Sequence, residues 1–256
     1  MQLGFGTAWF GKIPLLQRER RIGDLFGICQ EAGIDYIDTA HSYFWGFAEG
    51  LVSAGIRRSR GWEPAVTTKI GLQLFDDLAG RQEAFAGEGI DTSDPDFKFP
   101  KRVARDLKKS LRRLRPALPS AVLLHNPPRI VSQNRQTWLA FRQLADSFGI
   151  TNVGISIDRA FSKADLPEGV DIPVIQVTAK DFVAQNDLFA SSAAVSNATV
   201  IVHRVIELSH DFTSGLSLLA NQKRRPDIAL VGTTKPERLH QIVDHWHTLK
   251  ESSPND

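Results

Sequence analysis

Short runs of β-branched and apolar residues alternate along the chain with longer segments that have the periodicity of amphipathic helices. Eight such runs can be read: QLGFGTA, IDYIDTA, PAVTTKIG, SAVLLHNPP, TNVGISID, IPVIQVTA, ATVIVHRVI and DIALVGTT. Strands that alternate with helices form right-handed βαβ units and parallel sheets. Eight units within 256 residues predict a (β/α)8 TIM barrel. The same alternation leaves an open doubly wound sheet as the alternative.

The helices between these runs divide the chain evenly except in one place. They are predicted over RERRIGDLFGICQEAG, GFAEGLVSAGIRRS, PKRVARDLKKSLRRL and SQNRQTWLAFRQLADSFG, then over Phe182–Ala194, Asp211–Gln222 and Pro236–Leu249. No linker rich in Pro, Gly or Ser interrupts the chain, so residues 1–256 are expected to form one domain. Residues 72–100 form a long acidic loop after the third strand, and a loop of this length is typically a lid or disordered.

The composition limits the classes of partner. Hydrophobic residues make up 42%, charged residues 23%, and the net charge is +2, as in a soluble globular protein. The densest basic segment, 108–115, has leucines at helical spacing and is interpreted as the solvent face of a helix, so no nucleic-acid partner is predicted. The single cysteine, Cys29, is interpreted as a core thiol in a reducing compartment. Without a signal sequence or a long apolar run, we predict no membrane partner and a cytoplasmic location.

Polar side chains occur where several predicted strands end. They are Asp38, Lys69, His125, Ser156, Gln176, His203 and Arg204, with Gly232, Thr233 and Thr234 after the last strand. Ionisable groups that follow buried strands lose hydration energy unless they are paired. Each of these residues alone has a structural explanation. Because chemistry in a barrel takes place at the carboxyl ends of the strands, their joint placement predicts one site.

Five segments, in order, resemble the aldo-keto reductase family. GIDYIDTAHSYFWGFAE resembles the family signature of Asp-Thr-Ala followed by Tyr, Gly and Glu, and TTKIG resembles its strand-end lysine. Later segments of the family pattern are resembled by SLRRL together with VLLHNPP, by FGITNVGIS and by VGTTKPERL. The resemblance runs from Gly4 to about Ile242 and is closest to the sugar and aldose dehydrogenase-like branch. The resemblance implies a short member, without the N-terminal hairpin and most of the C-terminal loop of many members.

The resemblance implies a catalytic tetrad of Asp38, Tyr43, Lys69 and His125. Reduction of a carbonyl group needs a hydride at carbon and a proton at oxygen, and Tyr43 would donate the proton. Lys69 is expected to lower the pKa of this phenol, which is ordinarily near 10, and Asp38 to hold Lys69. His125 would polarise the carbonyl oxygen.

The resemblance also implies a nicotinamide dinucleotide across the barrel mouth. GFGTAWFG is not a Rossmann fingerprint, because its third glycine, Gly11, comes five residues after Gly6 and no full strand precedes the motif. Ser156 and Gln176 match the residues that hold the carboxamide, and Lys235 and Arg238 favour NADP(H) over NAD(H) through the 2′-phosphate. The full set of expected cofactor residues is Gly6, Thr7, Ser156, Gln176, His203, Arg204, Gly232, Thr233, Thr234, Lys235 and Arg238. No metal site is predicted.

Some positions depart from the family pattern. Ile157 stands where an Asn usually contacts the carboxamide, and His203 stands where an aromatic ring usually stacks on the nicotinamide. Trp9, Phe44 and Trp45 are expected to contact a small-molecule carbonyl or sugar-like substrate.

Three functions remain open at this point. The first is an NADP-dependent oxidoreductase that interconverts an aldehyde, ketone or sugar hemiacetal with its alcohol or lactone. The second is a non-redox dehydratase or epimerase that uses Tyr43 and Lys69 for proton transfer. The third is a cofactor-sensing regulatory protein.

Overall fold

Eight parallel strands lie in sequence order and close into a barrel. The computed structural model describes residues 1–71, 101–191, 195 and 197–252. The strands are β1 Gln2–Gly6, β2 Tyr36–Asp38, β3 Ala65–Ile70, β4 Ala121–His125, β5 Asn152–Ile157, β6 Val174–Thr178, β7 Thr199–His203 and β8 Ile228–Val231. β1 pairs with β8 in parallel, from Gln2 opposite Ile228 to Phe5 opposite Val231. The predicted TIM barrel is therefore confirmed, and the open doubly wound sheet is wrong.

The helices follow the strands in the predicted rhythm. They are α1 Arg18–Glu31, α2 Phe47–Arg58, α3 Lys101–Leu114, α4 Arg129–Ser132, α5 Arg135–Asp146, α6 Ala179–Ala184, α7 Asn186–Ser191, α8 Phe212–Ala220 and α9 Pro236–Ser252. The helix predicted over residues 182–194 begins earlier and is broken at Gln185 into α6 and α7. The helix predicted from Ser132 begins at Arg135, because the Asn134 side chain caps it by accepting hydrogen bonds from the backbone of Gln136 and Thr137.

Side-chain alternation along the strands decides which residues face the barrel interior. An apolar plug of Ala121, Leu123, Val174, Ile201, Ile228 and Leu230, with Tyr36 against it, forms a cluster separate from the main core. Successive strand residues point to opposite faces, so residues two positions after members of this plug also point inward. Asp38, His125 and Gln176 each lie two positions after a member of this cluster, namely Tyr36, Leu123 and Val174. The interior is therefore apolar at its base and polar at the carboxyl end.

The main core lies between the barrel and its helices. Cys29 of α1 is buried there, and burial raises the pKa of its thiol, which agrees with the interpretation of a core residue. Phe26, also on α1, meets Phe5 edge to face with ring centroids 6.1 Å apart. Across the described residues, none of the helices is both long and apolar enough to span a bilayer. The loop predicted at residues 72–100 lies outside the described residues.

Candidate active site

A cavity of about 630 Å³ opens at the carboxyl ends of the strands. Twelve of the residues expected at the site line it: Gly6, Trp9, Asp38, Tyr43, Phe44, Lys69, His125, Ser156, Gln176, His203, Arg204 and Gly232. The strand alternation described above brings most of them to one place, because each lies at or just beyond the carboxyl end of its strand. The four residues of the expected tetrad are all in this cavity.

A buried ion pair lies at its floor. The Lys69 Nζ donates to Asp38 Oδ2 at 2.6 Å, to the Thr39 carbonyl oxygen at 3.0 Å and to the Tyr43 hydroxyl at 3.1 Å. Lys69 is 1% exposed and Asp38 3%. Burial lowers the pKa of Lys69, but the attraction of Asp38 and Tyr43 outweighs it, so the net pKa is raised and the ammonium stays charged. Its three donors are all used, which fixes the Tyr43 hydroxyl relative to the pair.

The net pKa of Tyr43 differs from the expectation. Burial raises the pKa of the phenol, the Lys69 ammonium lowers it, and the Asp38 carboxylate raises it again, with a raised pKa as the result. Because Asp38 and Lys69 are nearly neutral as a pair, they compensate little of the desolvation. Lys69 does lower the pKa of this phenol, as expected, but burial outweighs it, so the net pKa is raised and Tyr43 is protonated at neutral pH.

The raised pKa of Tyr43 can be tested by ultraviolet titration of the tyrosines. The chain has two tyrosines, and burial also raises the pKa of Tyr36, which hydrogen-bonds to Thr67. Since a phenol with a raised pKa loses its proton only above its ordinary value, we expect no tyrosinate absorbance below about pH 10. Unfolding in urea should restore an ordinary titration. A tyrosinate signal at pH 8 that vanishes in Tyr43→Phe would contradict the raised pKa.

His125 lies beside the phenol on the neighbouring wall of the barrel. Its ring meets that of Tyr43 edge to face, with centroids 5.9 Å apart. His125 Nδ1 is 3.4 Å from the Ser42 hydroxyl, which orients the imidazole. Tyr43 and His125 therefore present two hydrogen-bonding groups to the same part of the cavity.

Gln176 connects the ion pair to the remaining polar surface. Its Nε2 donates to Asp38 Oδ1 at 3.2 Å, while its Oε1 is buried and has no hydrogen-bond partner among the residues that the structure describes. An unpaired buried acceptor costs free energy, so its presence at a cavity is consistent with a ligand donor. Ser156 is the register partner of Gln176 in the next strand. A primary amide, with donor and acceptor on one plane, fits this pair.

At the ends of β5 and β7 the expected residues His203 and Arg204 join two acids, Asp158 and Glu207, that were not singled out in the sequence. Asp158 lies 3.2 Å from His203 Nε2 and 3.2 Å from Arg204 Nη2, and Arg204 Nη1 is 3.5 Å from Glu207. Burial raises the pKa of Asp158, but His203 and Arg204 outweigh it, so this pKa is below its ordinary value. The backbone of Asp158 donates to Asn126, which has a positive φ of 49°. The only sequence signal was that Asp158 ends a strand run, as Asp38 does.

The remaining expected residues lie around the cavity and do not line it in the described part of the chain. Thr7 is buried and donates its hydroxyl to the Asp38 carbonyl oxygen at 3.0 Å, so it joins β1 to β2. The Thr233 hydroxyl accepts a hydrogen bond from the Lys235 backbone N–H at 3.1 Å. Lys235 and Arg238 are exposed at the start of α9, and Thr234 is partly exposed. Trp45 is 53% exposed outside the lining.

Within the described ranges, no group of three or more His, Cys, Asp or Glu side chains is arranged to hold a metal ion.

Comparison with known proteins gives a family and several similar folds. The model of the Aldo/keto reductase family matches residues 2–210, and no curated protein matches the chain. A Pseudomonas aeruginosa structure assigned to the aldo-keto reductases has a TM-score of 0.70 at 23% identity, with 95% of this chain and 88% of that chain covered. The glycerol dehydrogenase of Gluconobacter oxydans has a TM-score of 0.66 at 17% identity, covering 99% and 93%. A Klebsiella pneumoniae aldo-keto reductase in complex with NADPH has a TM-score of 0.62 at 16% identity, covering 96% and 85%.

Proposed function

The chain belongs to the aldo/keto reductase family of NAD(P)H-dependent oxidoreductases, and we propose that it interconverts an aldehyde, ketone or sugar hemiacetal with the alcohol or lactone, using NADP(H). One observation carries the proposal. The Lys69 ammonium is held between the Asp38 carboxylate and the Tyr43 hydroxyl, at the floor of a cavity large enough for a small molecule and part of a cofactor. This arrangement supplies a general acid at a defined position.

In the reductive direction Tyr43 donates a proton to the carbonyl oxygen. A reduced nicotinamide, when bound, supplies the hydride that adds to the carbonyl carbon. As the oxygen becomes negative, the Tyr43 O–H transfers its proton, giving the alcohol and a phenolate. The Lys69 ammonium, 3.1 Å from this oxygen, stabilises the phenolate, and Asp38 keeps Lys69 charged. In oxidation the same phenolate is the base.

His125 acts on the same oxygen. Because its ring lies beside the Tyr43 phenol, an imidazole N–H can stabilise the developing charge before the proton transfer is complete. It also favours a carbonyl oriented towards the tyrosine. Both effects reduce the barrier for a substrate whose oxygen points at the floor of the cavity.

The residues present fit a nicotinamide cofactor. The buried Gln176 Oε1, which has no partner in the described part of the chain, would accept from the carboxamide N–H, and the Ser156 hydroxyl would contact the carboxamide oxygen. His203 would face the nicotinamide ring, and Arg204 the pyrophosphate, alongside the backbone around Gly6 and Gly232. We further propose that the exposed side chains of Lys235 and Arg238, at the start of α9, meet the 2′-phosphate.

The phosphate assignment gives a binding prediction. NADPH should quench the fluorescence of the five tryptophans, since Trp9 lines the cavity. Arg238→Ala should weaken NADPH binding about tenfold, as expected for one charge-assisted contact, and leave NADH binding unchanged. Lys250→Ala, at the other end of the same helix, is the control. An equal loss of both affinities would remove Arg238 from the 2′-phosphate.

The same titration tests the function as a whole. Binding of neither nucleotide would exclude the oxidoreductase, and loss of NADPH absorbance on a panel of carbonyl compounds would support it. A dehydratase or epimerase would convert its substrate with no NADPH consumed. A regulatory protein would bind the nucleotide without turnover.

A further inference from the structure

A second polar cluster lies behind the Lys69–Tyr43 pair, on the outer side of the barrel wall. We call it the outer network, and it consists of His41, Glu49, Thr68, Ser110 and Arg113. All of these side chains are buried except that of Arg113, which is 30% exposed. Because successive strand residues point to opposite faces, Thr68 points outward where Lys69 points into the cavity.

Both partners of the Lys69–Tyr43 hydrogen bond are tied to the outer network. On the lysine side, the hydroxyl of the preceding residue, Thr68, donates to Glu49 Oε1 at 2.7 Å. On the tyrosine side, His41 comes two residues before Tyr43, and its backbone N–H donates to the Lys69 carbonyl oxygen at 2.9 Å. The two segments that carry the proton donor and its cation are therefore joined outside the cavity as well as inside it.

Arg113 of α3 connects the two sides of this network. Its Nη1 donates to Glu49 Oε2 at 3.2 Å and to His41 Nδ1 at 3.3 Å, and the Ser110 hydroxyl lies 3.1 Å from the same Nδ1. Because a guanidinium can only donate, His41 Nδ1 is the acceptor, and the imidazole proton is on Nε2, 3.5 Å from Asp106 Oδ1. Burial and the Arg113 charge lower the pKa of His41 to about 3, so the ring stays neutral and keeps this acceptor.

The Arg113 guanidinium also contacts the turn that follows Tyr43. Phe44 and Trp45 have φ of 49° and 53°, and Gly46 has φ of 84°. A Cβ added at Gly46 would overlap the Arg113 guanidinium, so the backbone lies directly against this group. A positive φ at residues other than glycine is strained and persists where the surrounding structure determines it. Arg113 therefore contacts the chain both before and after Tyr43.

We propose that Arg113 is a positioning residue for Tyr43, and that Glu49 holds Arg113 in place. Through these contacts Arg113 directs the Tyr43 hydroxyl towards the Lys69 ammonium. Within the described part of the chain, neither Arg113 nor Glu49 lines the cavity, so both act through other residues. The effect on catalysis rests on the proposed function. Displacement of a reacting group by about 1 Å can reduce a rate by about 10²-fold.

The kinetic test uses Arg113→Ala. For a carbonyl compound that the wild type reduces, kcat should fall about 10–100-fold while KM and NADPH affinity stay within about twofold, because only the proton donor is displaced. Guanidinium chloride at millimolar concentration should raise the kcat of this variant several-fold over the same concentration of sodium chloride, since the partly exposed site admits the ion. Arg112→Ala, at the exposed neighbouring position of α3, is the matched control and should keep the wild-type kcat in both salts.

An NMR measurement tests the position of the phenol without turnover. The chain has two tyrosines, so protein labelled in the tyrosine rings gives signals from Tyr36 and Tyr43 alone, assigned with Tyr36→Phe. The Tyr43 ring meets the His125 ring edge to face at 5.9 Å, and its chemical shift depends on this geometry. We expect Arg113→Ala to move the Tyr43 signal and leave the Tyr36 signal in place, and guanidinium to reverse the change.

Glu49→Gln is the second variant, because it keeps an acceptor for Thr68 and removes the charge that binds Arg113. It should move the Tyr43 signal in the same way. If no carbonyl compound is turned over, the proposed function fails, whereas a selective movement of the Tyr43 signal still supports the positioning role. The inference is overturned if the Tyr43 signal is unchanged in either folded variant, or if both tyrosine signals move together in both variants.

Discussion

Replacing Tyr43 with phenylalanine should lower kcat by about 10²–10⁴-fold, the range that positioned general acids contribute. The change removes a single oxygen, so the Asp38–Lys69 pair at 2.6 Å and the cavity shape are retained. NADPH affinity should therefore be unchanged by fluorescence titration. Single-turnover measurements should place the loss in the chemical step, because binding is preserved.

Tyr36→Phe is the matched control for this experiment. Tyr36 is the other tyrosine of the chain and lies against the apolar plug, where it bonds to Thr67. Loss of that hydroxyl should reduce stability while kcat stays close to wild type. If Tyr43→Phe kept more than about a tenth of the wild-type kcat, Tyr43 would not be the proton donor.

The second large effect is expected on stability. Lys69→Met should lower the free energy of unfolding by about 3–5 kcal/mol at neutral pH, because it leaves the buried Asp38 carboxylate without its cation. The double variant Lys69→Met with Asp38→Asn should recover most of this loss, since no buried charge remains. Neither variant should reduce a carbonyl compound. Urea unfolding of the wild type, of Lys69→Met, of Asp38→Asn and of the double variant gives the coupling energy of the pair.

The pH dependence of the single variant has a definite sign. Burial already raises the pKa of Asp38, and Lys69 is the main group that lowers it. Without Lys69 the folded-state pKa of this carboxyl rises further above its unfolded value of about 3.9. Stability is then retained below about pH 4 and lost as pH rises through the folded-state pKa. The deficit of Lys69→Met should shrink on acidification, and a deficit equal at pH 4 and pH 8 would contradict the buried-charge explanation.

The sequence predicted the barrel because its signal is repetitive. The strand–helix pattern occurs eight times along the chain, so an error at a single helix or strand boundary does not alter the predicted topology. The boundaries themselves depended on local contacts. Asn134 caps α5 and so delays its start, and Gln185 interrupts a helix that periodicity alone would continue.

From strand periodicity alone, the site could be predicted only for residues at the ends of strands. Alternation alone brings Asp38, Lys69 and Gln176 together, and the structure places them within hydrogen-bonding distance. The positive φ of Phe44, 49°, was not predictable, because a bulky aromatic residue ordinarily avoids this conformation. The raised pKa of Tyr43 likewise depends on burial, which sequence does not report.

Closure of the barrel between β1 and β8 has a consequence for self-association. Each of the eight strands is hydrogen-bonded to a neighbour on both sides. An open sheet ends in a row of unpaired N–H and C=O groups that can recruit strands from other molecules and seed aggregates. A ring offers no such edge. Aggregation by strand addition would therefore require one of the eight strand pairs to separate first, so the free energy of separating a strand pair is the barrier against it.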